Sequence, residues 1–299
     1  MRIIKQCISL ILFTVCIFNA QAETGRQSPI LHPKGLLWKI EKPGMVPSHL
    51  YGTMHVGDPR VVNLAAPVEQ VFVKADHFVM EMLLNFRAVG VITSGSFFND
   101  GRTLASVMQP EQYQQLLQIF KQQLFLPEKA INNMRPWAVL MALMVPGQPQ
   151  VETDSAVDMV LYRRAALRKI PLMGLESPEE QLAVFESLSI EEQVWMLNKS
   201  VQEYGRYGSQ MTSMLEAYLD RDLAALAELQ EQFSYEESDI DDKFMYELID
   251  KRNTRMVQRM QPVLQQGNAF IAIGALHLPG EKGVLHLLEQ QGYSVSPVY

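Results

Sequence analysis

The sequence predicts an α/β fold, a mixed and largely parallel central sheet with flanking helices and a helical insertion before the last strands. Three observations predict it. Short apolar runs rich in β-forming residues recur along the chain, segments of helical period separate most of them, and two runs end in the same G-x-x-H pattern, Gly52 to His55 and Gly274 to His277.

The β-type runs are Leu36 to Ile40, His49 to His55, His77 to Met82, Ile170 to Leu175, Ala269 to Ile273 and Tyr293 to Val298. Pro43-Gly44 and Pro47 between the first two read as a short loop, so those runs are expected to form an opening hairpin. Helical patterns cover Leu64 to Ala75, Pro110 to Phe125, Pro136 to Met144, Ser155 to Lys169, Pro178 to Leu188 and a long series from Ile190 to Leu264. Pro110, Pro136 and Pro178 stand where a first helical turn tolerates proline. The acidic run near Asp239 reads as a solvated helix start.

Composition sets the outer bounds. The chain has 299 residues, 47% hydrophobic and 20% charged, ordinary globular values. Arg2 and Lys5, an apolar core from Ile8 to Phe18, and Ala20-Gln21-Ala22 form the three-part pattern of an export leader, so residues 1–22 are expected to be removed and 23–35 to form a flexible start. A single α/β domain is then expected over 36–299, with its helical insertion at about 178–264. Thr14-Val15 and Ile17 around Cys16 lack the small residues of a lipid-anchor site, and no second long apolar run follows, so no membrane anchor is expected after cleavage. The expected destination is the periplasm, with extracellular release as the alternative.

Cys7 and Cys16 both fall in the leader, which leaves no thiolate for a disulfide, a metal or nucleophilic catalysis. Cleavage also removes Arg2 and Lys5 from the 26 basic residues, so 24 stand against 33 acidic ones and the formal charge is -9. Such a chain binds neither nucleic acid nor anionic lipid through bulk charge.

In a parallel α/β sheet, loops converge at the carboxyl ends of the strands, and sites form there. Four ionisable side chains follow four such ends: His55, Glu81, Glu176 and His277. Two imidazoles with one or two carboxylates suit a divalent metal with an open position, and the missing H-E-x-x-H spacing requires ligands from separate strands. Gly52 and Gly274 supply tight turns or close backbone approach. Glu81 either belongs to the site or alternates out to solvent, and Glu176 either belongs to it or is an acid at a helix N-terminus.

Arg252 falls within the apolar arc of Phe244, Met245, Leu248, Ile249, Met256 and Met260, with Asn253 at its edge. A guanidinium there needs a carboxylate or a bound anion, unless its stem runs along the face to water. His32, His49, His77 and His286 carry less information, and the 17 methionines are scattered through helical apolar positions as core filling. No G-x-S-x-G, P-loop or dinucleotide fingerprint occurs.

With these residues in place, the sequence resembles the TraB/PrgY/GumN family, related to the Tiki proteases and more distantly to ChaN-like and erythromycin-esterase-like proteins. The matching segments, in family order, are "LLWKIEKPG", "HLYGTMHVGD", "ADHFVMEM", "MRPWAV", "IPLMGLESPEEQLAVF", "DKRNTRM" and "FIAIGALHLPGEKGVLHLLEQQGYSV". The resemblance implies an active site made of His55, His277, Glu81 and Arg252, in which His55, His277 and Glu81 hold a metal and Glu81 and Arg252 act in catalysis, supported by Glu176 and Asn253. It implies a metal-dependent protease acting on peptides or proteins, with manganese or cobalt as the ion and zinc as an alternative. The relatives also imply the alternatives of a haem- or metal-binding protein and of a partner that sequesters peptide without cutting it.

Overall fold

Alternating aliphatic and aromatic residues build the first two strands, β1 (Leu37–Glu41) and β2 (Ser48–Thr53), and the loop between them closes through the Met45 amide on the Lys42 carbonyl at 3.0 Å. They pair antiparallel with Leu37 opposite Tyr51, so the expected hairpin is present. In this computed structural model, which describes residues 29–124, 126–144, 156–232 and 239–299, four more strands complete one sheet: β3 (His77–Met80), β4 (Leu172–Gly174), β5 (Ala269–Gly274) and β6 (Ser294–Pro297). The leader lies outside these residues.

The strand order is β4-β3-β5-β2-β1-β6, with β2, β3, β4 and β5 mutually parallel and β1 antiparallel to both its neighbours. All six residues of β5 are buried, as a central strand covered on both faces requires. Thr53 pairs with Gly274, and Met80 pairs with Ala272 and Gly174. The carboxyl ends of four strands therefore share one edge of the sheet, from which the chain turns out at His55, Glu81, Glu176 and His277.

Helices fill the gaps close to their expected positions, among them Ala66–Phe72, Pro110–Ile119, Pro136–Leu143, Val157–Arg168 and Pro178–Glu186, and proline opens the Pro110, Pro136 and Pro178 helices in their first turn. After β4 the chain is helical among the described residues through Ile190–Glu203, Tyr207–Leu219, Leu223–Gln232, Asp239–Met245 and Lys251–Gln266 before the sheet resumes. Asp239, Asp241 and Asp242 stand in the first described turn of the helix Asp239–Met245, but Asp241 is buried there and not solvated as expected.

Two departures have physical causes. The pattern from Asp242 to Leu264 reads as one α-helix, but a π turn at Tyr246–Asp250 interrupts it just ahead of Arg252. The helix Phe86–Gly95 is absent from the sequence reading because Val89, Val91, Ile92, Thr93 and two glycines oppose it; the Asn85 side chain caps it by accepting the Ala88 amide at 2.9 Å, and Ala88 and Ile92 bury its inner face.

Two apolar clusters form. One surrounds the sheet, where Phe72 and Phe78 pack on Phe270, and the other is all-helical around Trp137, Phe185 and Phe244, with Trp137 stacked on Phe185 at 4.6 Å. The segment Leu31 to Gly35, expected to be flexible, is tied to the body: Gly280 donates to the Leu31 carbonyl, Ala224 to that of Pro33, and the Gly35 amide to that of Arg221. No described helix is long and apolar enough to cross a membrane.

Candidate active site at the strand ends

Glu81 follows β3 directly and turns inward, 4% exposed. Its Oε1 accepts the Gly274 amide at 2.7 Å and its Oε2 accepts Arg252 Nη2 at 2.6 Å. Burial alone would raise this carboxyl; the Arg252 guanidinium first, then His277, His55 and the Gly274 N–H, hold it instead at about 2, so it is a carboxylate near pH 7.

Arg252 is 4% exposed, and four of its five N–H donors meet its neighbours. Nε reaches both Glu176 oxygens at 3.1 and 2.9 Å, Nη2 reaches Glu176 at 2.7 Å as well as Glu81, and Nη1 donates to the Leu248 carbonyl at 3.2 Å. Burial works against its charge, and the two carboxylates more than offset that. Arg255, one helical turn on, adds a 3.3 Å contact to Glu176, and Gln181 a weak one at 3.4 Å. Glu176 is therefore a buried counter-ion, while the first-turn acid role on the following helix belongs to Glu180, which closes a capping box with Ser177.

The two histidines are both fixed through Nδ1. Asn253 donates its Nδ2 to the Lys282 carbonyl at 2.8 Å, which turns its Oδ1 toward His277 Nδ1 at 2.6 Å. The acceptor there requires the proton on Nδ1, so the lone pair sits on Nε2. That Nε2 is buried, has no hydrogen-bond partner, and lies 3.8 Å from Glu81 Oε1. Burial, then the charge of Arg252, push the His277 imidazole down to about 3, which makes it neutral near pH 7.

His55 Nδ1 makes a short hydrogen bond to Asp158, whose other carboxylate oxygen accepts the Thr53 hydroxyl at 2.6 Å. Burial lowers the His55 pKa, but Asp158 overcomes this and leaves it raised. Beside His55 opens a small cavity of about 50 Å³, lined by Met54, Met211, Met214, Leu226 and Leu276, with Tyr218 anchored on the Gly52 carbonyl at 2.9 Å.

Gly52 and Gly274 make this closeness possible. A Cβ at Gly52 would meet Leu278 Cδ1 at 2.7 Å and Ala275 Cα at 3.2 Å, and one at Gly274 would meet Glu81 Oε1 at 3.3 Å and His277 Cδ2 at 3.4 Å. The repeated G-x-x-H thus has a reason. Gly52 lets the turn after β5 come close, and Gly274 leaves room for Glu81 and His277.

The structure brings His55, Glu81, Glu176, Arg252, Asn253 and His277 to one edge of the sheet. Sequence reasoning missed Asp158, Thr53 and Arg255. Asp158 stands in the first turn of the helix Val157–Arg168, where an acid is ordinary, and only its burial at 3% exposure sets it apart. Arg255 could have been found three residues after Arg252 on the same helical face.

The donor types of His55, Glu81 and His277 are those of a divalent ion, but their ligand atoms do not all come within 4.8 Å of one another, so the expected three-ligand set is not assembled at metal-binding spacing. Two imidazoles whose Nδ1 protons are held by a carboxylate and an amide oxygen are oriented as metal ligands usually are, and the orphaned His277 Nε2 beside an ionised carboxylate marks a donor without its acceptor.

An α/β protein with a mixed, largely parallel sheet and a buried site of two imidazoles, two carboxylates and a guanidinium at its strand ends is the class defined so far. The chain belongs to the TraB/PrgY/gumN family, whose model matches residues 36–297. It is similar to metalloprotease TIKI1 of Danio rerio, 25% identical over 87% of this chain and 62% of that protein. It is also similar to metalloprotease TIKI1 of Homo sapiens, 25% identical over 95% and 68% of the two chains, and to metalloprotease TIKI2 of Danio rerio, 24% identical over 87% and 60%. The chain thus spans about three-fifths of the length of most of these relatives. No solved structure matches it.

Proposed function

We propose that this chain is an exported, metal-dependent peptidase that acts in the periplasm on peptides or unfolded protein segments. The observation that carries the reading is the His277 Nε2, buried and unpartnered, 3.8 Å from a carboxylate that stays ionised. His277, His55 and Glu81 would hold the ion, with manganese or cobalt as the first candidates. A bound divalent ion supplies Lewis acidity toward a peptide carbonyl and toward water.

The protein groups have separable tasks. Asp158 and Asn253 hold the two Nδ1 protons; the His277 Nε2 lone pair is then free near pH 7, whereas His55, whose pKa Asp158 raises, would give up its Nε2 proton on binding the ion. Arg252 holds Glu81 in place; buried and bonded to Glu81, Glu176 and Leu248, it positions the carboxylate. Glu81, held ionised by Arg252, would serve as an anionic ligand. The apolar cleft beside His55 accepts a non-polar side chain of the substrate.

The test is peptide-library cleavage by residues 23–299 with added manganese or cobalt, alongside His55→Ala and His277→Ala proteins shown to be folded by circular dichroism. Cleavage should require the ion and fall more than about 100-fold in both variants, beyond the loss usual for an outer-shell change. Undiminished cleavage in both would refute the assignment. Peptide binding without cleavage would indicate capture at the same cleft.

A further inference from the structure

Away from the strand ends, His32, His286 and Glu289 gather at the surface, and we propose that they form a second divalent metal site, one that clips the start of the described chain to the last helix. Their ligand atoms all lie within 4.8 Å of one another, and theirs is the group identified among the described residues with that spacing. His32 Nε2 stands 3.2 Å and His286 Nδ1 3.3 Å from the same oxygen, Glu289 Oε2. Two imidazoles converging on one carboxylate oxygen form a donor set for zinc or a similar borderline transition ion, with water completing the shell.

The arrangement is held by the fold. His286 and Glu289 are three residues apart on the helix Val284–Gln290 and so share a face. His32 comes from the opposite end of the sequence, set in the left-handed backbone region at φ 55. The Gly280 amide fixes Leu31 next to it at 2.9 Å, and its ring meets the Trp38 ring edge-on at 5.2 Å. The side chains of His32 and His286 are 15% and 29% exposed, which leaves an ion room to enter. An ion here crosslinks residues 257 apart in sequence, which is the arrangement in which closing a loop constrains the unfolded chain most.

The site is independent of the proposed active site, and substitutions at the two sites distinguish them. The purified chain is stripped with chelator and reloaded with zinc chloride. Bound zinc is counted by mass spectrometry after gel filtration, and melting is followed with and without the ion. The comparison proteins are His286→Ala, Glu289→Gln and His55→Ala. One zinc equivalent and a rise in Tm of a few degrees should be lost in His286→Ala and Glu289→Gln and kept in His55→Ala. The proposal is overturned if folded His286→Ala and Glu289→Gln match the wild type in both stoichiometry and Tm rise. Loss of an equivalent in His55→Ala alone would support the active-site reading and overturn this one.

Discussion

At the scale of single residues, the site depends on paired charges out of water. Arg252 lies between Glu81 and Glu176, all three at 5% exposure or less. Removing the cation strands two buried carboxylates, so Arg252→Ala should destabilise the fold by about 3–5 kcal/mol, measured as a lower urea midpoint. Arg252→Lys keeps the charge but lacks the planar fork that spans both carboxylates, and should recover only part of that loss. Asn253 acts one step out. Asn253→Ala leaves the His277 Nδ1 proton without its acceptor and should weaken metal affinity about 10–100-fold while changing stability far less, as metal titration beside a urea melt would show.

At the scale of elements, the strand-end turns are close-fitting. Gly52→Ala places a methyl against the Ala275 backbone as well as the mobile end of Leu278, and should cost about 1–3 kcal/mol of stability. Gly274→Ala presses on Glu81 Oε1 and His277 Cδ2 instead, so its larger effect should fall on kcat/KM. If both variants lose stability and activity in the same proportion, the two glycines have one structural role and not the separate ones assigned here. The π turn at Tyr246–Asp250 is the other element-level device, since it immediately precedes Arg252 and supplies the Leu248 carbonyl that the guanidinium meets.

At the scale of the whole molecule, buried and ion-paired carboxylates set the acid limit. Glu81 and Glu180 both have folded-state values of about 2 against an ordinary 4.5. For groups held low in the folded state, the stabilisation is complete above the ordinary value and is lost as pH falls through the window toward about 2. Below pH 6.5 the unfolded His277 takes up a proton that the folded ring, held at about 3, refuses, which lowers stability, while the raised His55 opposes this. Urea midpoints should then drop further between pH 4.5 and 2 as the carboxylates protonate. An equal midpoint at pH 7 and pH 3 would show that these pairings contribute nothing to folding. The sheet cluster and the all-helical cluster meet at this same site, because β3 and β5 belong to one and Leu248, on the turn before Arg252, to the other.

Six strands, the opening hairpin and the proline-opened helices were legible in the sequence, because burial periodicity and turn chemistry act over a few residues. The duplicated G-x-x-H was legible too, since sites in such sheets collect at carboxyl ends. Tertiary structure alone decided what each polar group faces. Glu81 and Arg252 are 171 residues apart in the chain, and no local pattern separates an inward carboxylate from one that alternates to solvent. Asp158 looks like any first-turn acid until the fold sets it against His55, 103 residues away. The helix Phe86–Gly95 forms against its own propensities because packing overrides them. Local energetics are written along the chain, whereas ion pairing and the orphaned His277 Nε2 depend on desolvation by segments distant in sequence, which only the assembled fold supplies.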